Sequence, residues 1–353
     1  MRASHSAHST SLCPQPKNSP PTPPSTTSTA SLTLSCMCWT SLSPNPILSI
    51  LSIDVSPRPC ATISRNPTLE VFRMTYEFIE YDASGGIGRV RLNRPQKLNA
   101  LSRELQLEMV DCLQRADDDP DVRVMTLMGN GRAFCAGYDI TPPATPEEAA
   151  AAQERRDNIR SDIHRMKQTP NTMAQVLNMS KPVIAGIHGY CIAGGTDLAM
   201  HCDISIAADD AQIGFPPVRS MGTPPTHMWT YMVGPQWAKW FLLTGESVSG
   251  KRAEEIGLVW KSVPREELED AVEDLACTMA RIPWELLAAN KSIVNRALEL
   301  MGRNTLQHIA AETDAVAHQA PIVKEFARRS REEGLKAALD WRDGPFRDYR
   351  GSK

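Results

Sequence analysis

An α/β fold is predicted by three features of this 353-residue chain. Short apolar, β-branched runs at 122–128, 183–187 and 204–207 have the length and composition of buried strands. Glycine corners, Gly129-Asn-Gly131 after the first run and Gly194-Gly195 after the second, let the backbone turn tightly. Segments with a single apolar helical face alternate with the strands, the pattern of a layered α/β architecture.

Taken in order, residues 1–73 are dominated by serine, threonine and proline. Stretches such as Pro20-Pro-Thr-Pro-Pro-Ser-Thr-Thr-Ser-Thr29 bury too little surface to offset chain entropy, so disorder is expected there. With few acids before Glu70 and scattered Arg2, Lys17, Arg58 and Arg65, this segment reads as a transit peptide or as an extension ahead of a start at Met74. The compartment, mitochondrial or cytoplasmic, depends on which. Glu77–Tyr81 and Gly88–Leu92 alternate polar with apolar residues around Ser84-Gly85-Gly86, which predicts a hairpin. Ser102 is placed to cap a helix carrying Leu105, Met109, Val110 and Leu113 on one face, ended by Asp117-Asp-Asp-Pro120. Residues 141–168 read as a charged, mostly helical insertion starting near Pro146. From about Pro264 the pattern turns helical, with segments near 284–301, 304–318 and 321–340. The expected organisation is a core over 74–270 and a C-terminal helical region over 271–353.

Composition removes several classes of function. A net charge of −3, with no basic strip, argues against nucleic acid as a partner. No run reaches eighteen apolar residues, so no membrane span is expected. Nine cysteines, four of them (Cys13, Cys36, Cys38, Cys60) in the first 73 residues, show no paired ligand spacing, and no metal is expected. Gly86-Ile-Gly88 lacks the third glycine and the following helix of a dinucleotide turn. Cys135 and Cys191, beside the glycine corners, read as packed thiols.

The stretch Val183–Met200 reads as strand, glycine turn and helix start. The first N–H groups of a helix lack internal partners and sit at the positive end of its dipole, so they can hold developing negative charge. Together with Leu92-Asn-Arg-Pro-Gln-Lys-Leu-Asn-Ala-Leu101 and Gly129-Asn-Gly-Arg-Ala-Phe-Cys-Ala-Gly-Tyr-Asp-Ile140, this stretch resembles the three signatures of the crotonase (enoyl-CoA hydratase/isomerase) superfamily. The similarity runs from Met74, whose surroundings resemble the opening strand of stand-alone members, to Phe346.

The resemblance implies a spiral of ββα turns, a homotrimer or hexamer, and an acyl-CoA thioester substrate with no cofactor beyond its coenzyme A. It assigns an oxyanion hole to the backbone N–H groups of Tyr138 and Gly194. It lays coenzyme A along Lys97, Leu98 and Ala100 and along Ala136, Gly137, Asp139 and Ile140, largely through backbone, and makes Lys97 and Lys291 phosphate-facing. Asp139 itself matches an aspartate read as structural. Hydratases of this family use two glutamates; the first position here is Asp197 and the second is Pro217, which cannot transfer a proton. Asp197 is thus the candidate acid/base, with a helix-start cap as the competing reading. Arg219, His227 and Tyr231 are candidates to line an acyl pocket, whereas His188, His201 and Asp203 read as local hydrogen-bonding residues. Hydration, isomerisation and thioester hydrolysis remain open as reactions, as does a catalytically silent protein that binds a CoA ester or RNA.

Overall fold

The computed structural model describes residues 76–346. The expectations for residues 1–73, and for a start at Met74, lie outside the described residues. Strands β1 (Ile79–Ser84) and β2 (Ile87–Leu92) form the predicted hairpin, with Gly85 and Gly86 both at positive φ in its two-residue turn. Helix α1 (Arg103–Asp118) begins where Ser102 Oγ accepts the Leu105 N–H, and it buries Leu105, Met109, Cys112 and Leu113. Strand β3 (Val124–Gly129) follows, buried throughout, as the continuous apolar run requires of a strand covered on both faces.

The charged insertion forms α2 (Pro146–Asp157), started by a Thr145/Glu148 capping box, and α3 (Ile159–Leu177), capped by Asn158. It extends nine residues beyond the expected end at 168, carrying Pro170 within it, because Met166, Met173, Val176 and Leu177 continue a buried face. Next come β4 (Val183–Ile187), β5 (Tyr190–Ile192), the wholly buried α4 (Gly194–His201), β6 (Ile204–Ala208) and β7 (Gln212–Gly214). Helix α5 (Trp229–Thr244) is kinked at Gly234-Pro235, and β8 (Ser247–Ser249), α6 (Gly250–Glu255) and β9 (Lys261–Val263) complete the sheets.

The larger sheet has the order β1-β2-β3-β4-β6-β9, parallel except for its β1 edge; the smaller is β5-β7-β8. Successive turns of chain thus add one strand to each sheet, β4 then β5 and β6 then β7, which produces a spiral. Isolated parallel bridges, Leu101 to Tyr138 and Cys135 to Cys191, extend the second layer beside the two glycine corners.

Helix α7 (Leu268–Ala280) packs Leu268, Val272 and Ala276 against β3, β4 and β6. The expected boundary at 270/271 therefore falls inside a helix of the core. The C-terminal helices are α8 (Trp284–Leu300), α9 (Arg303–Ala317), α10 (Pro321–Glu332) and α11 (Leu335–Asp343), with α9 packed on α3. Among the described residues, no helix is long and apolar enough to cross a membrane.

Candidate active site

Two glycine corners meet at the end of the core. The first, after β3, is stitched to the 94–101 loop: Ala136 N–H donates to Leu98 O, Leu101 N–H to Gly137 O at 2.8 Å, and Asp139 N–H to Leu101 O at 3.2 Å. In this parallel pattern Leu101 bonds the residues on either side of Tyr138, so the Tyr138 N–H turns the other way. The second corner starts α4. Its Ala193 has φ 55° and ψ −121°, a conformation that costs a non-glycine residue about 1–3 kcal/mol and tends to accompany functional sites. Among the described residues, neither the Tyr138 N–H nor the Gly194 N–H has a backbone acceptor. The corners touch: a β-carbon at Gly137 (φ 104°) would lie 2.8 Å from Ala193 Cβ and 3.3 Å from Gly194 N. One at Gly195 would lie 2.2 Å from Cys135 O.

Asp197, in the first turn of α4, is fully buried. Its side chain does not cap the helix. Instead Oδ1 accepts the Thr226 hydroxyl at 2.6 Å and Oδ2 accepts the Tyr138 phenol at 2.8 Å. Burial pushes the carboxyl up to about 7, against these two hydrogen bonds, and the nearby Asp314 charge adds to the rise. Its carbonyl meets His201 Nδ1 at 2.7 Å, and His201 Nε2 lies 3.1 Å from the Gln307 side chain, so His201 is a buried structural residue with its pKa lowered by burial to about 4.

Asp314, on α9, accepts the Thr223 N–H at 2.7 Å and is pushed up to about 6 by burial. His318 stands 3.6 Å from it and binds Asp162 of α3 at 2.6 Å. The loop before α5 is thereby pinned twice, at Thr223 by Asp314 and at Thr226 by Asp197. Neither Thr226 nor Asp314 carries a local sequence signal; both owe their place to a loop and a helix brought in from distant parts of the chain.

The remaining expected residues divide clearly. Lys97 is exposed and Leu98, Ala100 and Ile140 are partly so, all around the first corner. Asp139 pairs with Arg94 at 2.6 Å and accepts the Thr141 N–H, and these bonds hold it below the usual carboxylate range despite burial. It braces the loop. Asn99, at φ 55°, does the same from inside: its amide donates to Asn130 O and Ala133 O, and its carbonyl accepts the Arg94 N–H.

Lys291 requires a correction. It is buried, not phosphate-facing: Nζ donates to Asp203 Oδ2 at 2.7 Å and to Lys181 O at 3.0 Å. Asp203 also accepts the Val183 N–H at 2.7 Å. The pairing offsets only part of the cost of burying Asp203, whose carboxyl stays above its ordinary range. Lys291→Met is expected to lose about 3–5 kcal/mol, as when one partner of a buried pair is removed. Thermal unfolding measures this, and an unaltered melting temperature would put the ammonium back in solvent.

Pro217 lies in a 3-10 turn, Pro216–Arg219, and its carbonyl accepts the N–H groups of Ser220, Met221 and Gly222. Arg219 turns away to the C-terminal helix, bonding Asp343 at 3.1 Å and Thr244 O at 3.0 Å and stacking on Phe346. His227 meets Thr230 Oγ1 at 2.9 Å, Tyr231 donates to Met301 O at 3.3 Å, and His188 lies 3.1 Å from Gly131 O. Burial pushes the Cys135 thiol up to about 12 and raises Cys191 well above its ordinary value, so neither is primed as a nucleophile.

A buried strand-to-helix amide corner, a second one in contact with it and a buried carboxyl thus lie together. The chain belongs to the enoyl-CoA hydratase/isomerase family, whose model matches residues 82–349. It is 30% identical to the crotonyl-CoA hydratase of Syntrophomonas wolfei, over 77% of this chain and 99% of the relative. It is 29% identical to the hydroxycinnamoyl-CoA hydratase-lyase of Pseudomonas fluorescens, covering 77% and 95%. Among solved structures, an enoyl-CoA hydratase from Mycobacterium smegmatis matches with a TM-score of 0.73 and 34% identity, covering 77% of this chain and 95% of that one. The fold is the crotonase spiral.

Proposed function

We propose that this protein processes acyl-CoA thioesters in a hydratase/isomerase-like reaction, holding the thioester carbonyl between the Tyr138 and Gly194 N–H groups and moving protons with the Asp197 carboxyl. The supporting observation is the contact of two glycine corners whose N–H groups have no backbone acceptor, beside a fully buried carboxyl with a pKa near neutrality. Enolate formation places negative charge on the carbonyl oxygen. Each preorganised donor aimed there is worth about 3 kcal/mol in the transition state. The 97–100 loop and the 136–140 segment would hold coenzyme A, with exposed Lys97 near phosphate, and the reaction calls for no metal or redox cofactor.

With Pro217 in the second acid position, one carboxyl serves where hydratases of the family use two. A single proton carrier suits movement of a double bond, in which one proton leaves and one returns. Hydration is the comparison reaction, given the relatives' names, and hydrolysis of the thioester is the third. Incubation with crotonyl-CoA, a 3-enoyl-CoA and a saturated acyl-CoA separates them. Acyl-CoA binding without turnover of any would instead support the silent binding protein, and labelled RNA in the same assay tests its other ligand.

A homotrimer or hexamer completes the proposal. Helix α8 leaves Leu286, Ile293, Val294 and Leu300 exposed, an apolar set that a second copy would cover. Light scattering on the purified protein is expected to give a mass of three or six chains; a monomer at micromolar concentration would contradict it.

A further inference from the structure

Asp197 has no surface of its own through which to meet a substrate. It is fully buried, and each of its oxygens is already engaged, Oδ1 by Thr226 and Oδ2 by Tyr138. Thr226 is fully buried as well. Tyr138 differs, being partly exposed. Its ring stands against the second amide corner, where a β-carbon on Gly194 would fall 2.8–2.9 Å from three ring atoms. One side chain therefore touches both the carboxyl and the corner assigned to the thioester oxygen, and it belongs to the one residue of the three that is not fully buried.

We propose that the Tyr138 phenol is the group that exchanges a proton with the acyl chain, and that Asp197 acts through it. This rests on the acyl-CoA reading and gives that site its missing second proton carrier, in place of an acid at Pro217. The step balances without a further reactant. The phenol oxygen takes the α-proton of the thioester as its own proton passes to Asp197 Oδ2. The Cα–H bond breaks, its electron pair becomes the new Cα–C π bond, and the carbonyl oxygen takes the charge against the two N–H groups. Reversal at Cα restores the thioester. In a 3-enoyl thioester, delivery to the γ-carbon instead moves the double bond.

The resting protonation states agree with this order of events. Burial and the adjoining Asp197 hold the phenol well above its ordinary value, so it stays protonated until its proton has somewhere to go. Asp197, near 7, is an acceptor at neutral pH. Apart from the Thr226 hydroxyl, a hydrogen-bond donor, the ionisable groups that act on the pair include Cys135, Cys191 and Asp314.

Exchange of the α-protons of butyryl-CoA in D2O, followed by proton NMR, tests the assignment. Tyr138→Phe keeps the ring and the backbone N–H and removes only the hydroxyl. Both Tyr138→Phe and Asp197→Asn are expected to slow exchange by at least about 100-fold, the lower range of a positioned acid/base group. A fluorinated tyrosine at position 138, whose phenol is more acidic, is expected to retain exchange with a pH profile displaced from the wild-type one. Undiminished exchange in Tyr138→Phe, with loss in Asp197→Asn, would assign the direct role to Asp197 and overturn the inference. So would loss in Tyr138→Phe with an undisplaced profile in the fluorinated protein, which would reduce Tyr138 to packing. Wild-type protein that neither exchanges nor turns over any of the thioesters would instead remove the acyl-CoA reading itself.

Discussion

Asp197→Asn is expected to cut thioester turnover by about 10²- to 10⁴-fold, the contribution of a positioned proton carrier, while making the protein more stable above neutral pH. The two effects have one cause. In the folded chain burial raises the Asp197 carboxyl from 3.8 to about 7. The neutral form is the one the fold prefers, so the contribution of this group to stability is complete below pH 4 and is lost as pH rises towards 7. Over about three pKa units, at 1.36 kcal/mol each, the loss is on the order of 4 kcal/mol. Asparagine cannot ionise and escapes it. Some of the gain returns as a penalty, because one of the two hydroxyl donors, Tyr138 or Thr226, now faces an NH2 group. Thermal melts of both proteins between pH 5 and pH 8.5 are the measurement. The difference in melting temperature should move in favour of the variant as pH rises, and wild-type activity should climb through pH 7 as the carboxylate forms. A difference constant with pH would show that Asp197 titrates at an ordinary carboxylate value.

Gly195→Ala is expected to be the most damaging single methyl at the site. Its β-carbon would lie 2.2 Å from Cys135 O and 3.0 Å from Cys135 C. Both belong to backbone, and Cys135 is held by its N–H to Tyr190 O and by the Ile192 N–H on its own carbonyl. Neither corner can yield alone. Overpacking normally costs 1–3 kcal/mol, and with rigid backbone on both sides more than about 3 kcal/mol is expected. In whatever folds, the two N–H groups are wedged apart, and misplacing one such donor costs about 10²–10³ in rate. Gly194→Ala provides the contrast, since the three atoms nearest its β-carbon all belong to the Tyr138 ring, the far end of a rotatable side chain. It should fold with a smaller penalty yet lose activity, because moving the ring breaks the phenol's bond to Asp197. Denaturant unfolding of the pair checks the order. Equal stability of Gly195→Ala and wild type would mean the corners do not touch.

Features that depend on neighbours in the chain are legible in the amino-acid sequence. The Ser102 cap, the Gly85-Gly86 turn and the strand-to-helix corner at 194–195 each arise from residues within a few positions of one another. The family resemblance singles out Tyr138, Gly194 and Asp197, but nothing near them in the chain marks the partners that hold Asp197: Thr226 lies 29 residues on, and its loop is pinned by Asp314 from 91 residues beyond Thr223. Lys291 misleads because the resemblance makes it phosphate-facing; its ammonium is drawn inside by Asp203, 88 residues away.

The sequence by itself determined the family, the β1–β2 hairpin, the strands β3, β4 and β6 and the two glycine corners, since turn chemistry and hydrophobic periodicity are local and survive being read one segment at a time, whereas the three-residue strands β5, β7, β8 and β9 are too short to show a period. Only the tertiary structure decided which ionisable groups lose their water. The Tyr138–Asp197–Thr226 cluster and the Lys291–Asp203 pair each join residues from separate elements, and desolvation depends on everything packed around a group, which no short stretch of chain contains.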